Sequence, residues 1–262
     1  MINYYDRNDL SNKYFPFVYS NWYSYLLITG LNLLLGNKNE VHIITNKINI
    51  LEIGGSTDYD KVINNSQKLS FAGVDVNYFT SDIEYSFDLD LVCDAMNIPV
   101  KTESVELVIL KDSLHHISSL STFVHELRRI LAKKGILVIS DPYWGPLAKF
   151  IYKNFHPEKF EKINDPFHEV ISSKNPEDSN QALLYELLVK KRNLTNIFLS
   201  DFEIIEIGPY LGPSYLLSGG KNSPFKLIPD SILIKIFKWE SKLPEWIKRL
   251  LFLEYIVVLR KL

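Results

Sequence analysis

Five short apolar runs, at 48–53, 70–76, 89–93, 105–110 and 136–140, each stop at a Gly, Asp, Ser or Lys, with helix-permissive sequence between most of them. Strands buried on both faces of a parallel sheet read this way, because no polar face is left to alternate with the apolar one. The clearest intervening helix is predicted over 119–134, where Leu120, Phe123, Val124, Leu127 and Leu131 repeat at helical spacing. Ser118 or Ser119 can cap its first amides, and Lys133 and Lys134 sit at its negative end before Gly135. Alternating strands and helices with short links predict an α/β fold, a doubly wound, mostly parallel sheet of seven strands with right-handed crossovers. Ligands of such sheets bind beyond the carboxyl ends of the strands, so the residues at those ends are the ones to examine.

Composition narrows the function classes. With a net charge of −2 there is no broad basic face for a nucleic-acid partner, and none is expected. The single cysteine, Cys93, excludes an internal disulfide and any multi-cysteine zinc site. The start of the chain lacks the basic-then-apolar order of a signal peptide. The apolar stretch 14–35 is interrupted by Pro16, Ser20, Asn21, Ser24 and Asn32, and reads as a buried or interfacial helix rather than a membrane span. A cytoplasmic protein is the expectation, with contact at the inner membrane face as an option.

The first run ends Leu51-Glu52-Ile53-Gly54-Gly55-Ser56-Thr57-Asp58. Glycine after a strand permits a tight turn and close approach to a ligand, and amides at a following helix start favour anionic groups. The second run ends Gly73-Val74-Asp75-Val76, placing a carboxylate about twenty residues downstream, where such folds bind ribose hydroxyls. The third ends Cys93-Asp94-Ala95, and the fourth Lys111-Asp112-Ser113-Leu114-His115-His116-Ile117. Glu52, Asp75, Asp94 and Lys111 are therefore expected to share one rim.

In this order and spacing the segment 48–141 resembles the class I S-adenosylmethionine-dependent methyltransferases, specifically the small-molecule group with a Leu-His-His-Ile-like segment after the fourth strand. The resemblance implies a Rossmann-like core and S-adenosyl-L-methionine as cofactor. It implies that Glu52 and Gly54, with Gly55 and Ser56, form the cofactor loop, that Asp75 with Val76 meets the ribose, that Asp94 and Ala95 meet the adenine, and that Lys111 lies nearby. Glu126, Arg129 and Leu131 match the family's helix before strand five. The match departs where the family loop alternates two or three glycines, since Ser56 and Asp58 stand near the later positions. It departs again at Ala132-Lys133-Lys134-Gly135, which lacks the proline and first glycine of the family's Leu-Lys-Pro-Gly-Gly turn.

Beyond Asp141 the pattern loosens. Helices are predicted over 143–155, 180–194 and 231–252, a strand over 201–207, and a final alternating strand over 255–259 that would pair with it antiparallel. The expected parts are an N-terminal helical lid (1–47), a cofactor-binding core (48–142), a helical insertion over the acceptor pocket (143–200) and the end of the core sheet (201–262). Candidate bases are His116, His115 and Asp141. The adjacent histidines are expected to point apart, one of them being structural. No recognised ligand spacing supports a metal site, and none is expected. The Asp-Pro-Tyr-Trp-Gly-Pro and Phe-His-Pro-Glu-Lys-Phe segments resemble methyltransferases of surface-polysaccharide synthesis, which implies O-methylation of a glycan or lipid-linked sugar. A quinone or other prenylated acceptor is the alternative, suggested by the basic, aromatic helix carrying Trp239 and Trp246. Two further readings stay open. A nicotinamide enzyme expects Gly-x-Gly-x-x-Gly, against which Ser56 and Tyr59 argue, and a non-catalytic scaffold would account for the eroded loop.

Overall fold

The computed structural model describes residues 17–36, 47–55, 69–71, 74–87, 89–156, 158–163, 165, 179–190, 200–217 and 228–262. Ser56, expected in the cofactor loop, and Asp58 near its later position lie outside them. In chain order the elements are α1 (Phe17–Gly36), β1 (Lys47–Ile53), β2 (Leu69–Phe71), β3 (Val74–Asp82), β4 (Leu91–Val92), β5 (Val105–Lys111), a 3-10 turn (Leu114–His116), α2 (Leu120–Ile130), β6 (Leu131–Pro142) and α3 (Pro146–Phe155). A π-helical segment (Tyr185–Lys190), β7 (Phe202–Pro209), α4 (Pro213–Leu217), α5 (Asp230–Glu240), α6 (Glu245–Leu251) and β8 (Glu254–Lys261) complete it.

One mixed sheet has the order β2-β3-β1-β5-β6-β8-β7, with β4 also paired to β3. β1 occupies one edge of β3, while β2 lies against the start of the other edge and β4 against its end. Seven positions thus hold eight strands. β3, β1, β5 and β6 run parallel, and β8 inserts antiparallel between β6 and β7. The winding reverses between β1 and β5, which puts the crevice for a ligand above the ends of those two strands.

The core forms on both faces because β1, β5 and β6 are apolar on both sides. On one face Leu51, Val108, Leu110, Leu137 and Ile139 pack with Phe123, Val124 and Leu127 of α2. On the other, Ile50, Leu107, Ile109 and Val138 meet Leu26, Leu31 and Leu34 of α1. A side chain at Gly30 would collide with Leu107, so this glycine lets α1 lie close on β5. Within the segment expected as an N-terminal lid, the described helix α1 covers a sheet face.

Three element boundaries also differ. α2 ends at Ile130 and β6 starts at once, because Leu131 pairs with Val105 at the edge of the core. The predicted 231–252 helix is two, with Pro244 capping α6. The 70–76 run is two antiparallel strands, and β3 continues to Asp82.

Candidate functional site

At the carboxyl end of β1 the chain turns through Gly54 at φ +75°, a conformation that disfavours any side chain. A Cβ there would also strike the Ser113 side chain. The turn is held by its neighbour: the amides of Gly54 and Gly55 both donate to the Ser81 carbonyl (2.9 and 3.0 Å), and the Ser81 hydroxyl donates to the Glu52 carbonyl at 2.9 Å. The buried Glu52 carboxylate accepts from the Tyr78 hydroxyl at 2.7 Å.

Register decides which acids join this rim. Ile53 pairs with Ser81, so Asp82 stands beside the Gly54 turn. Asp75 pairs instead with Lys47, at the start of both strands. Seven residues of strand place it about 20 Å from the rim. The expected ribose-binding position of Asp75, with Val76 beside it, is therefore overturned. Asp82, which the sequence reading passed over, holds the amide of Glu84 with its carboxylate (3.0 Å), and its carbonyl accepts from Cys93 at 2.9 Å. The next strand, β4, is followed at once by Cys93, Asp94 and Ala95. Asp94 accepts from Met96 N at 2.8 Å with its carboxylate, closing a half-buried turn. Behind it the Arg129 guanidinium donates to the carbonyls of Ile98 and Val100 (2.7 Å each), and Glu126 accepts from Ile98 N at 2.7 Å. Lys111 is buried at the end of β5, its charge beside Asp112 and Glu254. Burial pushes Glu254 well above the usual carboxylate range, which the Asp112 charge reinforces, and the Ser140 hydroxyl donates to it at 2.7 Å.

A second cluster forms one strand further along. The 3-10 turn after β5 presents His115 to Asp141 at the end of β6, Nδ1 to Oδ1 at 2.9 Å. The other ring nitrogen lies 3.3 Å from Glu158 Oε2, and His116 Nε2 lies 3.9 Å from Glu158 Oε1. The two imidazoles are 4.3 Å apart and address one carboxylate, which corrects the expectation that adjacent histidines point apart. The tight turn brings their rings together where a strand would separate them. Glu158 also accepts from Ser179 Oγ (2.7 Å) and Gln181 Nε2 (3.0 Å). Burial alone would depress the His115 pKa, but the carboxylates of Asp141 and Glu158 outweigh it and raise it to about 10. Burial would raise Glu158, yet its contacts with His115 and Ser179 hold it at about 2. His115 is thus an imidazolium clamped between two acids at neutral pH, and His116 is the exposed member. After the end of β6 a cavity of about 430 Å³ is lined by Trp144, Pro146, Lys149 and Tyr185, and Trp144 packs edge-on against Phe160, two residues beyond Glu158. Lys149 and Lys153 lie over the Trp144 ring, 5.2 and 5.7 Å from its centre.

Residues 60–139, running from before β2 to within β6, match a family model described as a methyltransferase domain. Residues 60–139 thus carry a methyltransferase domain. No curated protein matches it. Among solved structures, the methyltransferase is similar to the geranyl diphosphate C-methyltransferase of Streptomyces coelicolor A3(2), with 10% identity over 91% of this chain and 76% of that one, and a TM-score of 0.50. It is similar also to a SAM-dependent methyltransferase of Archaeoglobus fulgidus, with 14% identity over 90% and 94% of the two chains and a TM-score of 0.46. At 10% identity the first of these likenesses is one of fold alone. The cofactor of this class is S-adenosylmethionine, and the rim of the methyltransferase suits it: the Gly54 turn has no room for a side chain, and acids stand at the ends of three successive parallel strands.

Sequence reasoning missed two residues at this site, Asp82 and Glu158. The only signal for the second was the Phe-His-Pro-Glu segment, whose carboxylate meets His115 only through folding.

Proposed function

We propose that this methyltransferase O-methylates a hydroxylated acceptor, a glycan or lipid-linked sugar, in surface-polysaccharide synthesis. The observation that carries the reading is the aromatic and cationic cavity of Trp144, Tyr185 and Lys149, which follows directly on β6, the strand whose end supplies Asp141 to His115. A sugar ring stacks on an indole face, and the lysines suit a phosphate linkage.

S-adenosylmethionine supplies a methyl group on a sulfonium sulfur, already a good leaving group. Glu52, Gly54, Gly55, Asp82, Asp94 and Ala95 would hold it, with Lys111 behind the rim. Alignment is then the protein's main task, which in favourable intramolecular cases corresponds to effective molarities of about 10⁵–10⁸ M. The acceptor hydroxyl must lose a proton, and the His115–His116–Glu158 cluster acts there. Asp141 keeps His115 in place through Nδ1. His115, already protonated, orients Glu158, leaving His116 as the member that reaches the hydroxyl.

The test is methyl transfer to a panel of sugar and lipid-linked sugar acceptors, alongside calorimetric titration with S-adenosylhomocysteine. His116→Ala should slow transfer by about 10²–10⁴-fold while leaving S-adenosylhomocysteine affinity intact. Failure of every glycan acceptor with tight S-adenosylhomocysteine binding would refute the glycan reading and favour the second one. That second reading is a prenylated acceptor. It draws on the exposed Trp239 and Trp246 and on the Streptomyces enzyme, which is solved with geranyl-S-thiolodiphosphate. Binding of neither S-adenosylhomocysteine nor NADH by folded protein would favour a scaffold.

A further inference from the structure

We infer that His115, His116 and Glu158 form a binding site for one divalent transition-metal ion of the zinc class, open on one side to the acceptor. The three side chains offer ligand atoms that all lie within 4.8 Å of one another. Zn–N and Zn–O bonds of about 2.0–2.2 Å at tetrahedral angles separate neighbouring ligand atoms by about 3.3–3.6 Å. The observed His115 Nε2 to Glu158 Oε2 distance is 3.3 Å, and His116 Nε2 stands 3.9 Å from the other oxygen. These two contacts are to different oxygens of Glu158, and because no pair of the three ligand atoms is more than 4.8 Å apart, a rotation that moves the exposed imidazole by about 1 Å closes the set.

The surroundings are those of a metal centre. Histidine ligands characteristically engage a carboxylate through their second ring nitrogen, which fixes the tautomer and aims the other nitrogen at the ion. His115 does this with Asp141, whose Oδ1 lies 2.9 Å from Nδ1 and whose residue is fully buried. Glu158 is steadied in the same way by Ser179 and Gln181. Two imidazoles and one carboxylate leave a fourth position vacant, the pattern of catalytic rather than structural zinc. Oxygen-preferring Mg²⁺ and Ca²⁺ suit this donor set poorly.

Metal binding stands apart from methyl transfer, whereas its use rests on the acceptor reading proposed above. An acceptor hydroxyl taken as fourth ligand becomes more acidic, and its proton leaves to solvent as the oxygen acquires the methyl group. The cluster would then act on the hydroxyl through the ion.

The test is titration of the chelator-treated full chain with Zn²⁺ by calorimetry and with Co²⁺ by visible absorption. One ion per chain is expected, with a Co²⁺ spectrum of four-coordinate intensity. His116→Ala and Glu158→Gln should each weaken binding by at least about 10–100-fold. His125→Ala, which alters an exposed histidine on α2 outside the set, should not. Absence of saturable binding, or binding that survives both ligand variants, overturns the inference. Titrating the same sample with S-adenosylhomocysteine keeps the two readings separate: cofactor binding without metal binding defeats the metal site alone, and metal binding without cofactor binding defeats methyl transfer alone.

Discussion

Asp75 and Asp82 differ by seven positions in the chain and by nearly the length of a strand in space, and this sets up a direct comparison. If Asp82 holds a ribose hydroxyl, Asp82→Ala removes one charge-assisted contact. S-adenosylhomocysteine affinity should then fall by about 1.5–3 kcal/mol, roughly 10–150-fold in calorimetry. Asp75→Ala, made at the far end of the same strand, should leave that affinity unchanged. Equal effects of the two would mean that the register between β1 and β3 is wrong. The His115–Glu158 pair leads to a pH prediction for chelator-treated protein. His115 rises from an ordinary 6.5 to about 10, so its contribution to stability is complete below pH 6.5 and is lost as pH climbs toward 10. Glu158 falls from 4.5 to about 2, so its contribution is complete above pH 4.5 and is lost on acidification toward 2. The stability difference between the natural chain and Glu158→Gln, from urea denaturation, should therefore be greatest between pH 4.5 and 6.5 and shrink on both sides. A difference that stays constant from pH 6.5 up toward 10 and from pH 4.5 down toward 2 would show that the pair is not formed.

At the level of elements, the strands that could be read from sequence were those buried on both faces. β1, β5 and the second half of β6 appear as mainly apolar runs, interrupted by few polar residues such as Asn49, Glu52 and Glu106, because both of their faces are largely covered. β3 was misread for the opposite reason. Its Asn77, Tyr78, Thr80 and Ser81 look like loop residues, yet each finds its partner far along the chain, in Asn49, Glu52, Asp90 and the Glu52 carbonyl. Polar groups satisfied by tertiary hydrogen bonds leave no periodic signal, so the strand was ended early and its acid misassigned. The site divides in the same way: Glu52, Gly54 and Asp94 follow directly from strand ends, whereas Glu158 depends on how the insertion folds back. The junction between α2 and β6 carries its own prediction. Lys134 sits at φ +62°, where the resembled turn has its first glycine. A left-handed conformation costs an L-residue about 1–2 kcal/mol. Lys134→Gly should therefore stabilise the protein by about 1 kcal/mol after the greater chain entropy of glycine is subtracted. Thermal denaturation checks it, and a fall in Tm would show that the lysine side chain is held by contacts worth more than the strain.

Over the whole molecule, the surface carried by α5 and α6 bears on where the acceptor comes from. Among the described residues no helix is long and apolar enough to cross a membrane. α5 and α6 nevertheless expose Trp239 and Trp246 at 56% and 65%, with Ile232 and Leu250 beside them and Lys235, Lys238, Lys242 and Arg249 around them. Inward-facing Leu233 and Glu240 anchor α5, the carboxylate of Glu240 holding Ser214 at the start of α4. Aromatic rings with flanking cations are the composition of a helix that lies in a lipid interface. α6 packs on α3, and α3 supplies Pro146 and Lys149 to the acceptor cavity, so a chain resting on this face would hold the cavity near the bilayer. Each lysine near an anionic surface contributes about 1 kcal/mol, so Lys235→Ala with Lys238→Ala should lower binding to phosphatidylglycerol vesicles about 30-fold in sedimentation, and added salt should weaken it further. Trp239→Ala with Trp246→Ala should lower it without that salt dependence, because the lost contribution is apolar burial. If the natural chain stays in the supernatant with anionic vesicles at low salt, the acceptor has to reach the cavity from solution, and a lipid-linked sugar loses its support while a soluble glycan keeps it.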